Sequence, residues 1–121
     1  MPSPDPDWIA KAQRATLRLQ ATTHGARGAT HHVYVALLED RRRTHKWGLY
    51  VGETSRDPDT RFDQHKTGYK ASRWVNRFGV RLLPELVTHM NPLRRWEAIE
   101  LEAALAAELS RAGIEWVAGG H

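Results

Sequence analysis

The sequence predicts a small α+β fold, with a central three-stranded antiparallel sheet flanked by helices in the order β-β-α-α-β-α. Two β-branched and aromatic runs, separated by a polar loop, are typical of a β-hairpin. Segments with helix-capping residues follow the hairpin. The 121 residues suffice for one domain but not for a second domain with its own core.

Composition excludes several classes of protein. No apolar run approaches the roughly 18–20 residues that a membrane-spanning helix needs, and the start MPSPDPDW lacks the apolar segment of a secretory signal. The absence of cysteine excludes disulfides, thiolate nucleophiles and cysteine-ligated zinc. A reducing, cytoplasmic location fits this composition best.

Positive charge is concentrated in the middle of the chain. The formal net charge is +4, yet residues 41–81 hold eleven basic and four acidic side chains, whereas residues 82–121 hold three and six. Such a distribution is expected if one surface faces a polyanion. A solvated basic face without a partner is the alternative.

Residues 1–30 are expected to form an N-terminal arm, and residues 31–121 the folded domain. Three prolines within the first six positions and the stretch ATTHGARGAT favour an irregular chain. Trp8 to Leu19 is either a short helix or, like the rest of the arm, disordered in isolation.

The domain begins with the hairpin strands HVYVALL, from His32, and KWGLYVG. Because side chains alternate along a strand, Tyr34 shares a sheet face with Ala36, and Tyr50 shares one with Gly48 and Gly52. Residues this small cannot cover the tyrosines, so a shallow cleft containing two phenols is expected.

Two helices are predicted after the hairpin. The first is capped by Ser55 or Asp57 and ends at Gly68 and Tyr69; within it, Arg61 and His65 are four residues apart and project from the same side. The second, KASRWVNRFG, is basic. Its expected inward side chains are Trp74, Val75 and Phe78, and its outward ones are Lys70, Arg73 and Arg77.

The last third predicts a strand and a long helix. RLLPELVTH is apolar enough for a third strand, in which Pro84 implies an edge or a bulge. The long helix is expected to be capped by Asn91 and to end at Gly113. IEWVAGGH closes the chain as a short strand or an extended tail.

One carboxylate of the long helix falls in an apolar stripe. A helical wheel gives a solvent face of Glu97, Glu100, Glu108 and Arg111, and an apolar arc of Ala98, Ile99, Leu101, Leu105, Ala106 and Leu109. Glu102 lies inside that arc, which is costly unless its carboxylate is paired or binds a cation. Metal ligation explains this position, as does an ion pair with Arg61 or Arg95.

Taken together, this ordered set resembles the GIY-YIG nuclease family over about residues 32–120. The first signature is reduced to Val33-Tyr34-Val35, while the second is close to the family pattern as Leu49-Tyr50-Val51-Gly52-Glu53-Thr54. The Arg61/His65 pair matches the R-x-x-x-H of family homing endonucleases. Glu97-Ala98-Ile99-Glu100-Leu101-Glu102 is similar to the EALxLE segment of the excision-repair branch, whose final glutamate binds the metal.

The resemblance implies a divalent-metal-dependent DNA endonuclease with Mg²⁺ or Mn²⁺ on Glu102, and it leaves open whether cleavage is structure-specific. Arg61 would stabilise the transition-state charge on the phosphate. Tyr50 would position or deprotonate the attacking water, and His65 would take the proton onward. Tyr34 would hydrogen-bond the water or a phosphate oxygen.

Basic residues near these positions are expected to contact DNA. They are Lys66, Lys70, Arg73 and Arg77, interleaved with Tyr69 and Trp74, and the loop Arg41-Arg42-Arg43. The alternative is that Trp74 is buried and the basic side chains only keep the helix soluble. A partner protein is a further possible source of specificity.

Two departures from the family pattern keep other functions open. Glu53 stands where the excision-repair branch has a lysine, whose charge Lys66 or Lys70 would have to replace. The asparagine that usually follows the metal helix is missing, and His121 lies only roughly in its place. A non-cleaving nucleic-acid-binding module and a protein-interaction domain with a basic face are therefore the alternatives.

Overall fold

A computed structural model describes residues 3–119, which form a four-stranded mixed sheet with helices packed on both faces. The strands are β1 His32–Glu39, β2 Trp47–Thr54, β3 Gly79–Leu82 and β4 Val117–Gly119, in the spatial order β3-β1-β2-β4. The helices are α1 Pro6–Thr16, α2 Pro58–Thr67, α3 Arg73–Phe78 and α4 Arg95–Arg111, with a 3₁₀ turn at Pro84–Leu86. Within the described range, no helix is both long and apolar enough to cross a bilayer.

The α+β class is confirmed, but the sheet is not the predicted three-stranded antiparallel one. β1 pairs antiparallel with β2 and with β3, whereas the closing segment adds β4 parallel to β2. The Leu49 backbone N–H donates to the Trp116 carbonyl (2.9 Å), which brings β4 alongside β2. A three-residue strand carries almost no periodic signal, so its pairing depends on this tertiary contact.

The third strand also differs from its prediction. β3 ends at Leu82, and Pro84 begins the 3₁₀ turn instead of lying within the strand. The Leu83 N–H still donates to the Val35 carbonyl (2.9 Å), and the chain then turns away because proline has no N–H to continue the pairing.

The sequence predicted that Asn91 caps α4, and this prediction is wrong. The helix begins at Arg95, with Arg94 at the cap position. The Asn91 side-chain amide bonds instead to both backbone groups of Val33: its Nδ2 donates to the Val33 carbonyl (2.8 Å), and its Oδ1 accepts from the Val33 N–H (2.9 Å). It therefore takes the place of a neighbouring strand along this part of β1.

The N-terminal segment packs into the same core as the sheet. α1 is capped by the Asp5 carboxylate, and its Ala12 and Ala15 are completely buried. They belong to a cluster that contains the apolar side chains of one sheet face and of α4, including Val33, Val35, Leu49, Leu101 and Leu105. This segment is thus part of the folded unit.

Two predictions on the long helix are wrong. Glu97, expected on the solvent face, is buried because residues 22 and 23 fold over it: the backbone N–H and hydroxyl of Thr22 donate to Glu97 Oε2 (2.8 Å each), and those of Thr23 donate to Oε1 (2.6 Å each). Ile99, expected in the apolar arc, is 47% exposed.

Candidate active site

Tyr34 and Tyr50 project from the sheet face opposite the main core. In the register of β1 and β2, Tyr34 lies across from Gly52 and Ala36 lies across from Tyr50, so the two ring centroids are 6.1 Å apart. A Cβ atom at Gly52 would lie 2.5 Å from Tyr34 Cζ and Oη. The absence of a side chain at Gly52 therefore gives the Tyr34 ring its place across β2.

Helix α2 brings His65 to the two tyrosines. The Asp57 carboxylate accepts from the Asp59 N–H (2.8 Å) at the start of this helix, Pro58 occupies the first turn, and Gly68 ends the helix with φ 93°. His65 is 1% exposed, and its Nε2 lies 2.8 Å from Tyr34 Oη. The predicted Arg61/His65 pair thus faces the sheet from one side of α2.

The hydrogen bonds of His65 determine its tautomer. The Ser72 backbone N–H donates to His65 Nδ1 (2.8 Å), so Nδ1 is an acceptor and the proton of the neutral ring lies on Nε2. Nε2–H therefore donates to Tyr34 Oη. Burial, and secondarily the positive charge of Arg61, lower the pKa of His65 to about 4. At neutral pH His65 is an uncharged hydrogen-bond donor, which differs from the proton acceptor expected from the sequence.

Tyr34 continues this chain of hydrogen bonds. Burial raises the pKa of Tyr34 well above its ordinary value, and Tyr50 raises it further, both electrostatically and through a hydrogen bond between the two side chains. Since the Tyr34 oxygen accepts from His65, its own O–H is the donor toward Tyr50. The donor chain runs from Ser72 through His65 and Tyr34, and it ends at the half-buried Tyr50 hydroxyl.

Arg61 lies at the mouth of the site and is held by three acceptors. One of its terminal nitrogens donates to Gln64 Oε1 (3.2 Å) and to the Tyr69 carbonyl (3.4 Å), and the other donates to the Lys70 carbonyl (2.8 Å). These bonds orient the guanidinium before any ligand arrives. They also fix the loop after α2 against the helix.

Arg61 opens onto a cleft of about 280 Å³. The lining residues are Glu53, Thr54, Ser55, Arg56, Arg61, Gln64, Tyr69 and Lys70. Three cations against one carboxylate make it a site for anions. Arg56 was missed by the sequence reasoning; the available signal was its place between the end of β2 and the cap of α2. Lys70 lines this cleft and offsets the charge of Glu53.

Glu102 is half-buried on α4, beside the buried Leu101, and its negative charge contributes to the raised pKa of Tyr34. Across residues 3–119, no group of three or more His, Asp or Glu side chains is arranged to hold a metal. A cation at Glu102 would therefore have this carboxylate and at most one other such side chain among the described residues. That donor set fits Mg²⁺, which keeps several waters and takes its other ligands from substrate phosphates.

Lys66, which was expected to contact DNA, is bonded to backbone carbonyls at the end of α3. Its Nζ donates to the carbonyls of Val75 (3.4 Å), Asn76 (3.3 Å) and Gly79 (2.9 Å), and so caps the end of α3. Asn76 Nδ2 donates in return to the His65 carbonyl (2.9 Å). These bonds lock α3 against α2 and thereby hold the Ser72 N–H against His65 Nδ1.

The remaining predicted DNA contacts lie at the opposite end of this sheet face. Arg41 is within ion-pair distance of Glu39 (3.6 Å). The pocket around Trp74 is lined by Arg42, Arg43, Arg73 and Arg77. Trp74 itself, which was expected to be buried, is only half-buried. His121 lies outside the described residues.

Comparison with protein-family models, curated proteins and solved structures gives no match.

Proposed function

We propose that this chain is a divalent-metal-dependent endonuclease that hydrolyses phosphodiester bonds in DNA, with the fold and chemistry that its resemblance to GIY-YIG nucleases implies. The observation that carries the proposal is the donor chain His65–Tyr34–Tyr50 beside a cationic cleft that contains Arg61. The cysteine-free sequence suits action in the reducing cytoplasm.

The cleft would hold the scissile phosphate. Arg61 is oriented by the Gln64 and Lys70 oxygens, so its remaining N–H groups meet a phosphate without reorganisation. A planar guanidinium can bridge two phosphate oxygens and stabilise the additional charge of the pentacovalent transition state. Arg56 and Lys70 add positive charge along the path of the DNA backbone.

Tyr50 is the group best placed to take a proton from the attacking water. An ordinary phenol is a poor base at neutral pH, so Tyr50 would take this proton only in its phenolate form, whose oxygen the Tyr34 O–H would hydrogen-bond. Water attacks phosphorus, its proton passes to the Tyr50 phenolate oxygen to give the neutral phenol, the bond from phosphorus to the sugar oxygen breaks, and that leaving oxygen takes a proton from solvent. Mg²⁺ or Mn²⁺ held by Glu102 would supply Lewis-acid stabilisation of the phosphate and the leaving oxygen.

The test is cleavage of supercoiled, branched and single-stranded DNA with Mg²⁺ or Mn²⁺. We expect Glu102→Gln and Arg61→Gln each to reduce the rate by at least about 100-fold, whereas Glu100→Gln, exposed two positions away on α4, leaves it unchanged. A wild-type protein that cleaves none of these DNAs would refute the proposal. So would a Glu102→Gln variant as active as wild type.

Glu53 supports a second candidate function, a nucleic-acid-binding module that does not cleave. Its carboxylate lines the same cleft as Arg61, where the negative charge opposes phosphate binding close to the reacting group. Such a module would bind duplex DNA with a log–log salt slope of about −0.9 per phosphate contact and would show no metal-dependent cleavage. Absent or salt-insensitive binding would favour a protein partner for the basic face.

A further inference from the structure

A second cationic pocket, of about 340 Å³, lies between the hairpin loop and α3. It is lined by Asp40, Arg42, Arg43, Arg73, Trp74, Arg77 and Phe78. Four arginines against one aspartate give the lining a net positive charge. None of these side chains belongs to the site formed by the two tyrosines, His65 and Arg61.

The aromatic floor of this arginine–aromatic pocket is formed by Trp74 and Phe78, and Trp116 packs against both rings. Phe78 and Trp74 are stacked at 6.3 Å between centroids, and each forms a T-shaped contact with Trp116, at 5.5 Å and 6.1 Å respectively. Trp116 can lie flat on the sheet because Gly48 has no side chain; a Cβ atom there would overlap the Trp116 ring. Trp74 and Phe78 are half-buried, so part of each ring remains available to a ligand.

An arginine lies over each of the three rings. The guanidinium carbon of Arg43 is 3.8 Å from the Trp116 centroid, and those of Arg73 and Arg77 are 4.9 Å and 5.2 Å from Trp74 and Phe78. A guanidinium stacked on a ring keeps its in-plane N–H donors available for phosphate oxygens and presents its outer face to a base.

Asp40 orders the loop side of the pocket. Its carboxylate accepts from the Arg42 backbone N–H (3.0 Å) and lies 3.8 Å and 3.6 Å from the guanidinium Nε atoms of Arg42 and Arg43. These two cations are therefore held beside the aromatic floor.

The pocket and the tyrosine site share one face of the sheet. Leu38 packs in the Trp116 cluster and lies four residues along β1 from Tyr34, which corresponds to about 13 Å at about 3.3 Å per residue. A few nucleotides of one DNA strand span such a distance.

We infer that the arginine–aromatic pocket binds unpaired nucleotides, so that the substrates are DNAs with a single-stranded arm next to the cleaved phosphate; this substrate class rests on the proposed nuclease function. In a duplex, each base is stacked on its neighbours and offers only its edges in the grooves. A single strand presents base faces and phosphates together, which is what an aromatic floor with stacked guanidinium groups recognises. An acidic peptide would use the arginines and leave the rings unused.

The test is binding of full-length protein in EDTA, which separates binding from cleavage, to fluorescent 12-mers measured by anisotropy. The probes are oligo(dT), an abasic strand with the same phosphates, a blunt duplex and a glutamate 12-mer peptide. We expect oligo(dT) to bind tightest, by at least about fivefold over the abasic strand, because stacking contributes for each base. Trp74→Leu should abolish that difference, and Arg73→Gln/Arg77→Gln should weaken oligo(dT) binding, whereas Arg111→Gln, on the exposed end of α4, should not.

Equal affinity for oligo(dT) and the abasic strand would overturn the inference, as would tighter binding of the duplex or the peptide. The surface variant Arg73→Gln/Arg77→Gln keeps the test valid if Trp74→Leu fails to fold. Single-strand preference without any cleavage refutes the nuclease proposal but not the pocket. Cleavage without single-strand preference refutes the pocket but not the nuclease.

Discussion

His65 should remain neutral far below the pH at which an ordinary histidine is protonated. Its Nδ1 accepts from the Ser72 N–H and its Nε2–H donates to Tyr34, so a second proton would cost one of these hydrogen bonds in a buried site. The pKa of about 4, against 6.5 for a free side chain, corresponds to about 3 kcal/mol at most.

Folding stability should fall as the pH falls, because the unfolded state binds the proton on His65 more readily than the folded state does. Below pH 6.5 the unfolded chain protonates His65, whereas the folded chain does so only near pH 4. The contribution to stability is therefore complete above about pH 6.5 and is lost progressively as the pH falls toward 4. By pH 5 the loss should be about 2 kcal/mol.

Urea unfolding of wild type and His65→Gln between pH 7.5 and pH 4.5 measures the contribution of His65 to the free energy of unfolding, because the six other histidines are common to both proteins. Wild type should lose about 2 kcal/mol more than the variant by pH 5. Nitrogen NMR of the ring should show an unprotonated Nδ1. Equal pH slopes, titration of His65 near pH 6.5, or a proton on Nδ1 would each contradict the reasoning.

Two further substitutions test the packing of the site and of the N-terminal segment. Gly52→Ala should displace the Tyr34 ring, destabilise the fold by about 1–3 kcal/mol and reduce cleavage, measured by urea unfolding and by rate; unchanged values would show that the ring has room to move. Glu97→Gln replaces an acceptor of four hydrogen bonds, from Thr22 and Thr23, and should cost about 1–3 kcal/mol at pH 7. Those bonds outweigh burial and lower the pKa of Glu97 to about 2. The difference in unfolding free energy between wild type and variant should therefore shrink as the pH falls below 4.5, and a constant difference would contradict this.

The parts of the fold that local sequence could predict are those governed by strand alternation and helix capping. The small residues that flank Tyr34 and Tyr50 along their own strands predicted a cleft containing both phenols, and the rings are 6.1 Å apart. Asp57 and Gly68 marked the ends of α2 because cap geometry depends on a few adjacent residues. These features need no knowledge of distant contacts.

The parts that failed depend on residues far apart in the sequence. Glu97 has the charge of a surface residue, and only the return of Thr22 and Thr23, more than seventy positions earlier, buries it. Asn91 followed by proline looks like a helix cap, yet its amide is used by Val33 on another element. The tautomer of His65 likewise depends on the backbone of Ser72, whose position is set by how α3 packs against α2.

The side-chain amide of Asn91 also limits how this sheet can associate with other chains. On the outer side of β1, beyond the end of β3, an incoming strand would need free backbone donors and acceptors at alternate residues. The N–H and carbonyl of His31 bond to Leu93, those of Val33 bond to the Asn91 side chain, and the Val35 carbonyl accepts from the Leu83 N–H. With these groups occupied, the strand that carries Tyr34 offers little template for edge-to-edge aggregation, even though most of its side chains are apolar.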